Sequence, residues 1–76
     1  MSEALVARFE QWIGKKLVAK EEEDSVNEKE DVVFESRIDH TPYRIIVRGF
    51  YTEDLQLTRL NLQLDPDRIV TKVWIG

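Results

Sequence analysis

Apolar residues near the start of the chain recur at the spacing of one helical face. They occupy positions i, i+4, i+7 and i+8 and are Leu5, Phe9, Trp12 and Ile13. Ser2 is suited to the N-cap position, and Gly14 can end a helix in the left-handed conformation. The pattern therefore predicts an amphipathic helix over about residues 3–13, with Phe9 and Trp12 in the core.

From Val32 onward the apolar period changes to two, which is typical of half-buried strands. Four-residue turns at 39–42, 52–55 and 65–68 separate the alternating runs. Pairing the residues that flank each turn brings the apolar side chains of every run onto one face. The pattern predicts a four-stranded antiparallel meander over about residues 32–75.

Two segments are compatible with more than one secondary structure. Leu17 continues the apolar stripe of the helix, so residues 15–21 fit either a last helical segment or an edge strand. Residues 66–74 begin with a proline and have apolar residues at helical spacing, which suit a short helix. They are also rich in β-branched side chains, which favours a strand. We expect a strand at 66–74 and leave 15–21 open.

The expected fold class is α+β, with the N-terminal helix packed on one face of the antiparallel meander sheet. The sheet has four strands, or five if residues 15–21 add an edge strand. A chain of 76 residues and 9.0 kDa is expected to form a single domain over residues 1–76. Its composition, 42% hydrophobic and 34% charged, is that of a globular protein.

Acidic residues are concentrated in one segment of the chain. The formal net charge is −4, and residues 21–31 carry seven acids and one base, whereas residues 32–76 carry six of each. Like-charge repulsion and a shortage of apolar groups predict an acidic, mobile loop over about residues 22–30. The overall acidity also disfavours a generic attraction to phosphate backbones.

The predicted strand register collects arginine and aromatic side chains on the outer side of the sheet. The candidate interaction residues on this face are Arg37, Arg44, Ile46, Arg48, Phe50, Arg59 and Trp74. Arginines can simply solvate an exposed sheet face while their stems cover apolar neighbours. Aromatic and arginine side chains are also the types enriched at the centres of interfaces. We therefore interpret this face as a basic and aromatic interaction surface.

Such a face indicates a non-enzymatic interaction module, an adaptor or regulatory subunit that binds a partner protein or a second copy of itself. The alternative function is single-stranded nucleic-acid binding, in which bases stack on aromatic side chains set among arginines. The negative net charge disfavours that alternative. A small enzyme is the least favoured class.

The sequence also bears on the compartment. The chain has no cysteine, which excludes disulfides, cysteine zinc sites and thiol catalysis and agrees with a reducing compartment. Its longest apolar run, residues 4–7, is far too short to cross a bilayer, and its first residues lack the pattern of a signal peptide. We expect a cytoplasmic protein without a membrane partner.

No catalytic, cofactor or metal site is predicted. Ser36, Asp39 and His40 form a nucleophile, acid and base on paper, but no glycine-rich elbow or helix N-terminus nearby supplies an oxyanion site. Residues 24–28 lack the alternating oxygen ligands and central glycine of a calcium loop. Three glycines, far apart in sequence, cannot build a phosphate-binding fingerprint.

Overall fold

A computed structural model describes residues 2–47 and 56–76 of the chain. Over these residues the fold is α+β, with one N-terminal helix, two short 3-10 helices and two small sheets. In chain order the elements are α1 (Ser2–Glu10), β1 (Lys16–Val18), the first 3-10 helix (Lys20–Ser25), β2 (Val32–Phe34), the second 3-10 helix (Glu35–Arg37), β3 (Tyr43–Val47), β4 (Leu60–Leu64) and β5 (Val70–Ile75). Within the described ranges, no helix has the length and apolar character that a membrane crossing requires.

The helix α1 packs one apolar stripe against the larger sheet. Phe9 is 3% exposed and belongs to the core, as its spacing predicts. Trp12 follows the helix, is half-buried, and meets the Phe9 ring edge-on at 4.9 Å between centroids. The helix ends at Glu10, before the predicted end at about residue 13, and a turn follows to Gly14, whose φ of +91° is a left-handed conformation that glycine adopts without steric cost. The chain then turns into β1 instead of extending the helix.

The larger sheet has the strand order β3-β4-β5, and its first pair runs parallel. Tyr43 pairs with Leu60 and Val47 pairs with Leu64, so β3 and β4 point the same way. The predicted hairpin between them is wrong, and so is the four-stranded antiparallel meander. Parallel strands need a connection of about a dozen residues, and residues 48–59 provide that length.

Strand alternation cannot reveal this change of direction. Ile45 stands opposite Leu62 in the parallel register, as it does in the predicted antiparallel one. Both registers therefore put the same side chains of β3 and β4 on each face. The predicted faces of β3 and β4 are therefore correct, although the predicted direction of β3 relative to β4 is wrong.

β4 and β5 pair antiparallel, as predicted, but their register differs from the predicted one. Pairing the residues that flank the 65–68 turn would put Leu64 opposite Ile69, whereas Leu64 pairs with Val70, Leu62 with Val73 and Leu60 with Ile75, with a bulge between Gln63 and Leu64. The expected strand is confirmed at residues 70–74 by β5, whereas residues 66–67 form a turn. The core lies between this sheet and α1, and its buried members are Phe9, Leu17, Ile38, Leu60, Leu62, Leu64, Val70 and Val73.

The smaller sheet pairs β1 with β2 in parallel, and Leu17 stands opposite Val33. Of the two assignments open for residues 15–21, the strand is therefore the observed one at residues 16–18. The prediction that β2 begins the main sheet is wrong, because the second 3-10 helix ends this strand after three residues. Leu17 N donates to the Arg68 carbonyl oxygen at 2.9 Å, which joins the smaller sheet to the hairpin between β4 and β5.

Hydrogen bonds to two glutamate carboxylates join the two 3-10 helices. Glu23, from the first, accepts hydrogen bonds from the Ser36 backbone N–H at 3.1 Å and from Ser36 Oγ at 2.6 Å. Glu35, from the second, accepts one from the Lys20 backbone N–H at 3.3 Å. Each carboxylate thus binds an N-terminal amide of the other helix. The first half of the acidic segment is therefore helical where the sequence predicts a loop.

Glu35 also binds the phenol of Tyr43. Tyr43 Oη donates to Glu35 Oε2 at 2.8 Å, while the Lys20 ammonium lies 6.0 Å from the centre of the phenol ring. The hydrogen bond to Glu35 and the partial burial of the phenol raise the pKa of Tyr43 above its ordinary value. This contact attaches the start of β3 to the second 3-10 helix.

Candidate functional site

Cross-strand pairing places two rows of side chains on the side of the larger sheet opposite α1. The rows are Arg44–Asn61–Trp74 and Ile46–Gln63–Lys72. Because successive residues of a strand point to opposite faces, these rows alternate with the leucines of β4 that fill the core. Arg59 precedes β4 with the same parity as Asn61. We call these seven residues the outer face.

Asn61 is the polar centre of the outer face and is 0% exposed. Its Nδ2 donates to the Gly76 carbonyl oxygen at 2.9 Å, with longer contacts of 3.4 Å to the carbonyl oxygens of Arg59 and Trp74. Its Oδ1 accepts from Arg44 Nε at 3.0 Å. Arg59 Nε donates to the same Gly76 oxygen at 2.8 Å. This network positions two arginines and holds β4 to the end of β5.

The outer face carries cations without a carboxylate among its seven residues. The cations are Arg44, Arg59 and Lys72, although the whole chain has a net charge of −4. The exposed Lys72 ammonium lies 4.9 Å from the centre of the half-buried Trp74 ring, within the range of a cation–π contact. The arrangement offers positive charge beside an aromatic surface, which suits an acidic group with an apolar neighbour.

The structure brings together four of the predicted interaction residues and separates a fifth from them. The four on the outer face, as the alternation predicts, are Arg44, Ile46, Arg59 and Trp74. Arg37 is not on this face, because it lies in the second 3-10 helix, where its guanidinium is 3.5 Å from the carboxylate of Glu28. Its predicted position beside Arg44 is wrong because β2 belongs to the other sheet.

Two of the predicted residues on the outer face are buried, and two other predicted residues lie outside the described ranges. Ile46 is 2% exposed and Arg59 is 8% exposed, so neither offers much surface to a partner in this conformation. Arg48 and Phe50 lie outside the residues that the structure describes. The accessible part of the outer face is therefore Lys72 with the half-buried Arg44, Gln63 and Trp74.

Sequence reasoning overlooks Asn61 as an organising residue. In the run Leu60–Leu64, a polar residue between leucines reads as a solvated position on a half-buried strand. The available signal is that β4 is the central strand, paired on both sides, where a polar side chain has backbone carbonyls within reach.

The three residues considered as a catalytic triad, Ser36, Asp39 and His40, each bind a residue outside that set. Ser36 Oγ donates to Glu23, and Asp39 pairs with Arg8. His40 Nε2 donates to the Thr58 carbonyl oxygen at 2.6 Å. Because each group has a different partner, the three do not form a nucleophile–base relay.

The residues that the structure describes contain no group of three or more His, Cys, Asp or Glu side chains able to hold a metal ion. No family model, curated protein or solved structure matches the chain. The functional argument therefore depends on the geometry and charge of the outer face.

Proposed function

We propose that this chain is a non-enzymatic interaction module, an adaptor or regulatory subunit, that binds an acidic segment of a partner protein through the accessible part of the outer face. The observation that carries the proposal is that the seven described residues of the outer face include three cations and one tryptophan and no carboxylate. Charge of one sign on a face favours a partner of the opposite charge.

The chemistry of the face defines the partner segment. Lys72 and Arg44 attract carboxylates, and Trp74 offers an apolar edge beside them. An exposed ion pair contributes only about 0.2–1 kcal/mol, so charge alone gives weak binding. A partner segment with one apolar side chain between acidic residues gains contact with Trp74 as well. We therefore expect a short acidic segment with a central leucine or phenylalanine.

The test uses fluorescence anisotropy to measure the affinity of a labelled peptide of this composition for the wild type, for Lys72→Glu and for Lys20→Glu. Both lysines are exposed, and the two variants make the same charge change at different sites. We expect Lys72→Glu to weaken binding about fivefold or more, because reversal replaces attraction by repulsion. Lys20→Glu should bind as wild type does. Equal affinity of wild type and Lys72→Glu would contradict the proposal, with circular dichroism as the folding control.

Two further measurements separate the alternatives. A single-stranded oligothymidylate whose log affinity falls steeply with log salt, and which competes with the peptide, would favour nucleic-acid binding by the same face. Light scattering of the wild type decides whether a second copy of the chain binds the outer face. If the wild type is a homodimer and Lys72→Glu dissociates it, the partner is a second copy and not an acidic peptide.

A further inference from the structure

A cleft of about 410 Å³ lies beside β1 and shares no residue with the outer face. It is bounded by β1, by the end of the first 3-10 helix with the residues that follow it, and by Arg68 of the hairpin between β4 and β5. Its volume is within the range of small-molecule sites, which is about 300–1,000 Å³. The half-buried Val26 and Val32 give it an apolar wall.

Three cations line this cleft, and they are Lys16, Lys29 and Arg68. None of their side chains forms an ion pair within the described part of the chain, although Glu22 and Asp31 line the same cleft. In an acidic protein, three cations around one cleft without carboxylate partners indicate a place where an anion from outside would be held.

Arg68 occupies a backbone position that usually belongs to glycine. Arg68 N donates to the Asp65 carbonyl oxygen at 2.9 Å, and Asp65 N donates to the Ile69 carbonyl oxygen at 3.0 Å, so a tight turn is followed by Arg68 with a φ of +65°. In three-residue hairpin loops this left-handed position favours glycine, which has no Cβ. Strained residues of this kind concentrate at functional sites.

The side chain of Arg68 is held where it can act in the cleft. Its Nε donates to the Leu17 carbonyl oxygen at 3.0 Å, which orients the guanidinium against β1. Its terminal nitrogens have no hydrogen-bond partner among the described residues. A guanidinium presents paired N–H donors that match a phosphate or carboxylate.

We propose that this cleft binds a small organic anion, with its phosphate or carboxylate group on Arg68, Lys16 and Lys29 and its apolar part against Val26 and Val32. Glu22 and Asp31 repel additional negative charge, so the site selects a single anionic group over a polyanion such as nucleic acid. The site is separate from the outer face, and its occupation is measured independently of the peptide.

The experiment is an NMR titration of the full chain with phenyl phosphate, benzoate, inorganic phosphate and neutral benzyl alcohol. We expect saturable shifts at the amides of Leu17, Val32 and Arg68 with phenyl phosphate or benzoate, and the stronger of the two identifies the preferred oxyanion. Inorganic phosphate should bind more weakly, because it lacks the apolar part, and benzyl alcohol should not bind. Absence of saturable shifts with both aromatic anions would overturn the proposal.

Two variants and one control assign the site. Arg68→Gly suits the left-handed backbone and should fold, with about tenfold or greater loss of affinity for the preferred anion. Lys29→Gln replaces an exposed cation and should also weaken binding of the anion. If Arg68→Gly does not fold, the affinity of Lys29→Gln tests whether the anion binds in this cleft. Lys20→Gln, an exposed lysine outside the cleft, should bind as wild type does. Unchanged affinity in the folded cleft variants would refute the assignment.

Discussion

The buried network around Asn61 predicts that removal of one small amide destabilises the whole sheet. We consider Asn61→Ala, which removes the acceptor of Arg44 Nε and one of the donors to Gly76. A hydrogen bond to a charged group contributes about 1.5–3 kcal/mol, and a neutral one about 1 kcal/mol. The two 3.4 Å contacts add little. The expected loss in free energy of unfolding is therefore about 2.5–4 kcal/mol.

This loss is large for a domain of this size. By the usual range per residue, 76 residues give a stability of about 4–11 kcal/mol. With an unfolding entropy of about 2.1 cal/mol/K per residue, the Asn61→Ala variant should melt about 15–25 °C below wild type. The Gly76 oxygen retains its bond from Arg59, so we expect the end of β5 to loosen rather than detach.

The assay is urea unfolding followed by tryptophan fluorescence, together with thermal melting followed by circular dichroism. Gln63→Ala is the matched control, because Gln63 is a half-buried amide two residues further along the same strand. Its loss should be within about 0.5 kcal/mol, as for most substitutions away from the core. If Asn61→Ala and Gln63→Ala lost the same stability, the network would have no role in holding the sheet.

Two further predictions concern the helix and Tyr43. Phe9→Ala should cost about 3–5 kcal/mol, because Phe9 fills the core against the larger sheet, and an unchanged melting temperature would exclude that position. Glu35→Gln should lower the pKa of Tyr43 toward its ordinary value in an NMR titration, since the bond to Glu35 is the main cause of its rise. Because the pKa is raised in the folded state, the stabilisation by this phenol is present below pH 10 and is lost as the pH rises through the raised pKa.

The side of the sheet on which a residue lies is more predictable from this sequence than the direction in which its strand runs. The alternation of β4 predicts the burial of Leu60, Leu62 and Leu64, and it assigns Trp74 and Arg44 to the opposite side of the sheet. The direction of β3 depends on the connection through residues 48–59, whose length accommodates either a loose hairpin or a parallel crossover. An apolar period of two is the same for parallel and antiparallel strands, so it does not distinguish the two connections.

Long-range polar contacts account for other differences from the predicted fold. Alternation extends past Phe34, but the second 3-10 helix begins at Glu35, where Glu23 binds the amide of Ser36 across thirteen residues. Propensity and periodicity describe neighbours in sequence, so neither detects such a pairing. The burial of Asn61 has the same origin, because its partners Arg44 and Gly76 are distant in sequence.

The place of β5 in the fold has a consequence for synthesis on the ribosome. Both α1 and β4 pack on β5, and β1 is bonded to the turn just before it. At about 5–20 residues per second, the sixty residues between Glu10 and Val70 take about 3–12 s to emerge. During that time the apolar stripe of α1 has no native sheet to cover it. The nascent chain is therefore exposed to aggregation through this stripe until β5 has been synthesised.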